Sequence, residues 1–192
     1  MRAISLAVWV LLGAARLARA AEPPPMPNAM HDYFAGEKQS GWWWAGAGVV
    51  GMGAGVALLA QGGDRARGAS WPLLGIGAVQ LIAGAVLLTH TDARVAKLDE
   101  ELRAAPDKFA DAEGARVEQL GRTFTLLVGT EVTVVAVGVG LAAYGFAAPR
   151  DVFAGLGVGL ALEGGAMLGL DGFASRRAAR YGRALDVFAH GK

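Results

Sequence analysis

The stretch VFAGLGVGLALEGGAMLGL, residues 152–170, decides how this chain must fold. It is apolar throughout except at Glu163, near its centre. At about 1.5 Å rise per residue, a helix of this length crosses the ~30 Å hydrocarbon core of a bilayer. Small residues recur along it at helical spacing. Gly155 and Gly159 share the ridge of Glu163, and Gly157, Ala161, Gly165 and Gly169 form a second ridge. Such ridges let membrane helices approach closely. An ionised carboxylate at mid-bilayer costs about 2.5–3.5 kcal/mol on insertion scales, so Glu163 is expected to face the bundle interior or water.

Three further apolar segments precede it: Trp42 to Ala60, Trp71 to Thr89 and Phe124 to Ala148. Each is long enough to span a bilayer. The connection Gln61 to Ser70 reads as a short polar turn, with Pro72 in the first turn of the next helix. The connection Ala148-Pro149-Arg150-Asp151 is shorter still. The expected fold is therefore an all-α membrane protein, with four transmembrane helices arranged as two helical hairpins over residues 42–91 and 123–171. Composition agrees: 54% of residues are hydrophobic, only 18% are charged, and the 29 glycines sit inside apolar runs rather than linkers.

The charges cluster outside those spans. Between the hairpins, residues 92–122 form a polar connector in which Val95, Leu98 and Leu102 follow helical spacing. Pro106 closes that helix, and Asp107 falls in the first turn of another, which carries Phe109, Val117, Leu120 and Phe124 into the third span. In the basic tail, residues 172–192, a stripe of Ala174, Ala178, Tyr181, Leu185 and Phe188 is flanked by Arg176, Arg177, Arg180 and Arg183. These amphipathic extensions are expected to build an extramembrane cap, the acidic Asp99, Glu100 and Glu101 meeting the basic tail. The alternative is that the tail lies on lipid headgroups.

Residues 1–20 have the three parts of a signal peptide: Arg2, an apolar stretch from Ala3 to Ala15, and the small-x-small site Ala18-Arg19-Ala20. The competing reading is an uncleaved anchor. Residues 21–41, with Pro23 to Pro27, read as an irregular lead-in. Tyr33, Trp42, Trp43, Trp44 and Trp71 read as anchors at the headgroup level, where amphipathic rings are favoured. Cleavage after Ala20 places the N-terminus, the connector and the tail of a bacterial inner-membrane protein outside the cytoplasm. Lysine and arginine argue otherwise. Only Arg65, Arg67 and Arg150 fall on the opposite side, whereas cytoplasmic segments normally hold the excess.

An offset of 83 residues aligns GVALLAQG (55–62) with GVGLAAYG (138–145), and five of the eight positions agree. The same offset sets Gln80 opposite Glu163, Arg94 opposite Arg177 and Leu102 opposite Leu185. Chains rich in Ala, Gly and Leu also align by chance. A true duplication of two spans relates the halves by an axis along the membrane normal.

Gln80, Glu131 and Glu163 are the candidate intramembrane polar site. Depth counting from Pro149 lets Glu131 and Glu163 approach each other. The preferred reading is hydrogen-bonding glue between helices. The alternative is a protonatable carboxylate pair that serves proton or cation movement, as in a small transporter or channel component. Ala47, Gly51, Gly55, Gly155, Gly159 and Gly165 are the helix-packing candidates, for the bundle itself or for a homo-oligomer.

Enzyme signatures are sparse. The chain has no cysteine, and His31, His90 and His190 show no paired metal-ligand spacing. Gly46-x-Gly48-x-x-Gly51 matches a dinucleotide pattern but lies in an apolar span without strand or acidic partner. No catalytic residue, cofactor or metal is expected. The net charge of +1 gives no reason to expect nucleic-acid binding. The expected partners are the lipid bilayer and a membrane protein or second copy, and the expected role is assembly or interaction.

Overall fold

The computed structural model describes residues 25–191; the signal-peptide reading of residues 1–20 lies outside the described residues. Four helices follow one another: α1 Met26–Gln61, α2 Asp64–Ala104, α3 Pro106–Ala147 and α4 Asp151–His190. Each contains a window long and apolar enough to cross a membrane. They have 36, 41, 42 and 40 residues. At 1.5 Å per residue they are roughly 54–63 Å long, about twice the hydrocarbon thickness. The chain is an all-α membrane bundle whose helices project far beyond the bilayer on one side.

The lead-in is where the structure departs most from the expectation. Residues 26–41 are helical and continuous with the first span. Pro25 takes the N-cap position and Pro27 the first turn, where a missing N–H forfeits no helical bond. The prolines therefore start the helix rather than prevent it. The polar connection after α1 also contracts, to Gly62 and Gly63 at φ 77° and 87°. Both lie in the left-handed region that glycine enters without steric penalty. Pro72 thereby falls in the interior of α2, not in its first turn.

Glycine contacts fix the arrangement. In the first hairpin Gly41 lies against Gly84, Gly48 against Gly77 and Leu81, and Gly55 against Ser70 and Leu74. In the second hairpin Gly138 lies against Gly157 and Ala161, and Gly145 against Ala154. Both pairs are antiparallel. Between hairpins, α2 and α4 run parallel at the centre. Gly68 meets Val152 and Leu156, Gly155 meets Arg65 and Ala69, and Gly159 meets Ala69 and Pro72.

The 83-residue offset recurs in burial. Met26 and Phe109, Phe34 and Val117, Gly55 and Gly138, Leu98 and Tyr181, and Leu102 and Leu185 are buried pairwise. Two similar hairpins are thus packed about an axis that runs along the bundle, with α2 and α4 nearest to it.

The large hydrophobic core lies in the cap, not between the spans. Met26, Met30, Tyr33, Phe34, Leu98, Leu102, Phe109, Val117, Tyr181 and Leu185 form it, with Val95, Leu120, Phe124 and Phe188 packed around. All four helices contribute, so the cap includes residues 26–41 as well as the connector and the tail. In the spans most large apolar side chains point outward: Trp42, Trp43, Val50, Trp71, Ile82, Leu126 and Leu162 are each more than 60% exposed, and Trp44 and Leu73 are the large ones turned inward.

Candidate functional site

The buried polar groups form two levels, one in the cap and one among the spans. In the cap, Glu113 of α3 is 3% exposed. It accepts two hydrogen bonds from Arg116, at 2.8 and 2.5 Å, and one from the Tyr181 hydroxyl of α4 at 3.2 Å. The Tyr181 ring stacks on Tyr33 with centroids 4.6 Å apart, and the Arg116 guanidinium lies over the Tyr33 and Phe34 rings. Burial works against the charge on Arg116, yet Glu113 outweighs it and holds the guanidinium more firmly protonated than usual. Burial, with Glu113 alongside, pushes the Tyr181 hydroxyl well above its ordinary range. Burial likewise raises Glu37, against the pull of Arg116, Arg94 and Arg177.

Tyr33, expected as an interfacial anchor, is 4% exposed and belongs to this core. Its helix begins sixteen residues before Trp42, which lifts Tyr33 into the cap. Trp44 is 9% exposed and turns inward, whereas Trp42, Trp43 and Trp71 face outward. Among the described residues the acidic run of α2 makes no ion pair with the basic tail. Asp99 instead meets His31 of α1 at 3.0 Å, and Asp92 meets Lys38 at 2.6 Å. Arg177 donates to the Ser40 hydroxyl at 2.9 Å.

Among the spans, Gln80 is fully buried and donates its amide N–H to Glu163 Oε2 at 2.7 Å. This bond joins α2 to α4, between residues at equivalent positions of the two hairpins. Gly51 of α1 is where the other carboxyl oxygen fits, since a Cβ there would collide with Glu163 Oε1. The Gln80 amide oxygen is buried without a hydrogen-bond partner among the described residues.

Glu131 does not join that cluster. The α3–α4 register, with Gly138 against Ala161 and Gly164 against Val135, brings it to Asp171 of α4, and both its carboxyl oxygens are buried with no hydrogen-bond donor among the described residues. Depth counting placed Glu131 near Glu163 because it fixes height along the bundle but not rotation about each helix. Glu163 turns toward the first hairpin, Glu131 stays within the second. Asp171 was missed because it ends an apolar run beside a charged tail, where an acid normally reads as solvated. Its signal is position: it follows Glu163 by eight residues, about 12 Å along the same helix.

The packing candidates divide. Gly51, Gly55, Gly155 and Gly159 lie in close contact with neighbouring helices, Ala47 is half-buried, and Gly165 has open space around it. Gly165 sits on the outward face of α4 and meets no other helix among the described residues.

No protein-family model, curated protein or solved structure matches the chain. The functional reading therefore rests on the chain's own geometry.

Proposed function

We propose that this membrane protein acts by assembly, holding a rigid cap at the membrane surface and presenting it to a partner protein. The observation behind this reading is continuity. Every helix passes from an apolar span into the cap without a break, and one aromatic core with the Glu113–Arg116–Tyr181 network closes the four ends together. A cap so joined keeps a fixed orientation to the bilayer. The Gln80–Glu163 bond fits this reading as glue between hairpins. Photo-crosslinkers placed at the exposed cap positions Asp111 and Arg180 test it in intact cells. A discrete adduct of constant mass is expected. A chain that gives no adduct and purifies as a monomer overturns the assembly reading.

A second reading, a small proton or cation transporter component, is supported by the acids at successive depths: Asp171, Glu131 and Glu163. Loss of proton or cation flux from proteoliposomes in the Glu163→Gln variant, with the fold intact, would favour it over glue.

For location we propose a bacterial inner membrane, with residues 1–20 removed at Ala18-Arg19-Ala20 and the cap outside the cytoplasm. The basic residues of the cap oppose this orientation. The cysteine-free chain makes the test simple. Labelling of Ala105→Cys, and not Ala69→Cys, by an impermeant thiol reagent is expected. The reverse result puts the cap inside.

A further inference from the structure

We propose that Glu131 and Asp171 form a proton-binding site within the second hairpin, two carboxyl groups that hold one proton between them. Glu131 is 2% exposed and Asp171 6%. The register of the α3–α4 pair, with Gly138 against Ala161 and Gly164 against Val135, sets Glu131 within one helical turn of the level of Asp171, and the two carboxyl groups approach each other there. Ionised carboxylates only accept hydrogen bonds, so contact between two of them becomes a bond only when one is protonated. Both oxygens of Glu131 are buried and lack any other hydrogen bond, which leaves the facing acid as the place where a proton satisfies them.

The surroundings supply no alternative counter-charge. Among the described residues, neither acid makes an ion pair with lysine, arginine or histidine. On α4, Glu163 lies eight residues deeper and is bonded to Gln80 of α2. Arg177 lies six residues toward the cap and is bonded to Ser40 of α1. Two ionised carboxylates left adjacent here would repel each other away from bulk water, and one bound proton removes that repulsion. Divalent metals fit poorly, since calcium and magnesium take about six or more oxygen ligands.

The other hairpin shows that the crossing does not need these acids. The 83-residue offset puts Gly48 at the position of Glu131 and Leu88 at that of Asp171. There Gly48 simply packs on Gly77 and Leu81. Both hairpins are closed by small-residue packing, and the first has no acid at either of these positions, so closure does not account for the acids.

Access follows from position. Asp171 stands at the cap end of its span. Below Glu163 and Gln80, Gly155 and Gly159 bring α4 directly onto α2, and the buried Ser70 is already bonded to the Arg67 carbonyl. The proton therefore exchanges from the cap side. The site stands as a binding site whether or not the chain moves the proton further, so it is independent of the transporter reading.

The test uses the full chain in phosphatidylcholine vesicles treated with dicyclohexylcarbodiimide, an apolar reagent that adds to protonated carboxyl groups. Peptide mass spectrometry is expected to find the adduct on Glu131 or Asp171 at neutral pH, with labelling falling as the pH rises. Infrared spectra of the same vesicles should show a protonated-carboxyl stretch component that Glu131→Gln/Asp171→Asn removes. No adduct on either acid overturns the proposal. So does labelling suppressed by sodium or potassium at constant pH, which identifies a metal cation as the occupant. The labelling needs no variant, so it decides the matter even if the double variant fails to assemble.

Discussion

In the cap, the residues that fill the interior are Met30, Phe34, Phe109, Tyr181 and Leu185. In the spans of the same four helices they are Gly48, Gly51, Gly55, Gly138, Gly155, Gly157 and Gly159. The change follows the solvent. In water, burying a large apolar side chain is itself the driving force, worth about 1.5–3 kcal/mol for a full side chain. In lipid that force vanishes, because the bilayer is as apolar as the protein interior. Large side chains there do equally well pointing outward, as Val50 and Leu126 do at 72% and 74% exposure. What remains to hold the spans together is close backbone approach and a few polar bonds. One helix therefore obeys two packing rules along its length, and opposite substitutions should damage its two ends.

The sharpest way to break this contrast is to hollow the cap. Phe34 is 1% exposed, and Phe34→Ala should cost about 3–5 kcal/mol. A fall in the thermal midpoint of the detergent-purified protein, followed by circular dichroism, checks it. An unchanged midpoint would mean that the cap adds little to the fold. The spans should answer to the opposite change. Gly155→Leu forces a side chain into the α2 backbone at Arg65 and Ala69 and should cost about 1–3 kcal/mol or more, whereas Gly165→Leu, with open space around it, should leave the midpoint almost unmoved. Equal effects from the two glycine substitutions would refute the packing rule drawn for the spans.

A smaller effect tests the polar bond. Gln80→Leu strips Glu163 of its buried donor and should cost about 1–3 kcal/mol. Glu163→Gln keeps an acceptor for the Gln80 amide and should cost less than about 1 kcal/mol. Equal losses would show that charge on Glu163, not the hydrogen bond, matters to the fold.

The smallest effect concerns Glu37 in the cap. Burial raises its pKa above the ordinary carboxyl range, so the folded state binds its proton more tightly than the unfolded state does. The resulting stability is fully present below the unfolded pKa and is lost as the pH rises through the folded one. Glu37→Gln should therefore flatten the fall in thermal midpoint between acidic and neutral pH. A profile of unchanged slope would assign that pH dependence to another group.

Much of the architecture was legible from composition and spacing. Four apolar runs, two short connections and helical stripes beyond the spans suffice for two hairpins with extended ends. The lead-in is helical where its prolines suggest irregular chain, because Pro25 and Pro27 stand at the N-cap and first turn, where proline is permitted. Tyr33 differs for the same reason: an aromatic near a span has the pattern of an anchor, but its helix begins at Met26 and carries it into the cap core. The inward orientation of Glu163 was legible because lipid tolerates a charge so poorly. Its partner was visible only as a coincidence of the 83-residue offset.

The sequence by itself determined where the chain is apolar enough to cross a membrane and which polar groups must avoid lipid. Both depend on transfer between solvents, and transfer is a property of each residue and its near neighbours. Only the tertiary structure decided that Glu163 meets Gln80 while Glu131 meets Asp171. Those pairings depend on how each helix is rotated about its own axis, and that rotation is set by glycines locking against backbones far away in sequence.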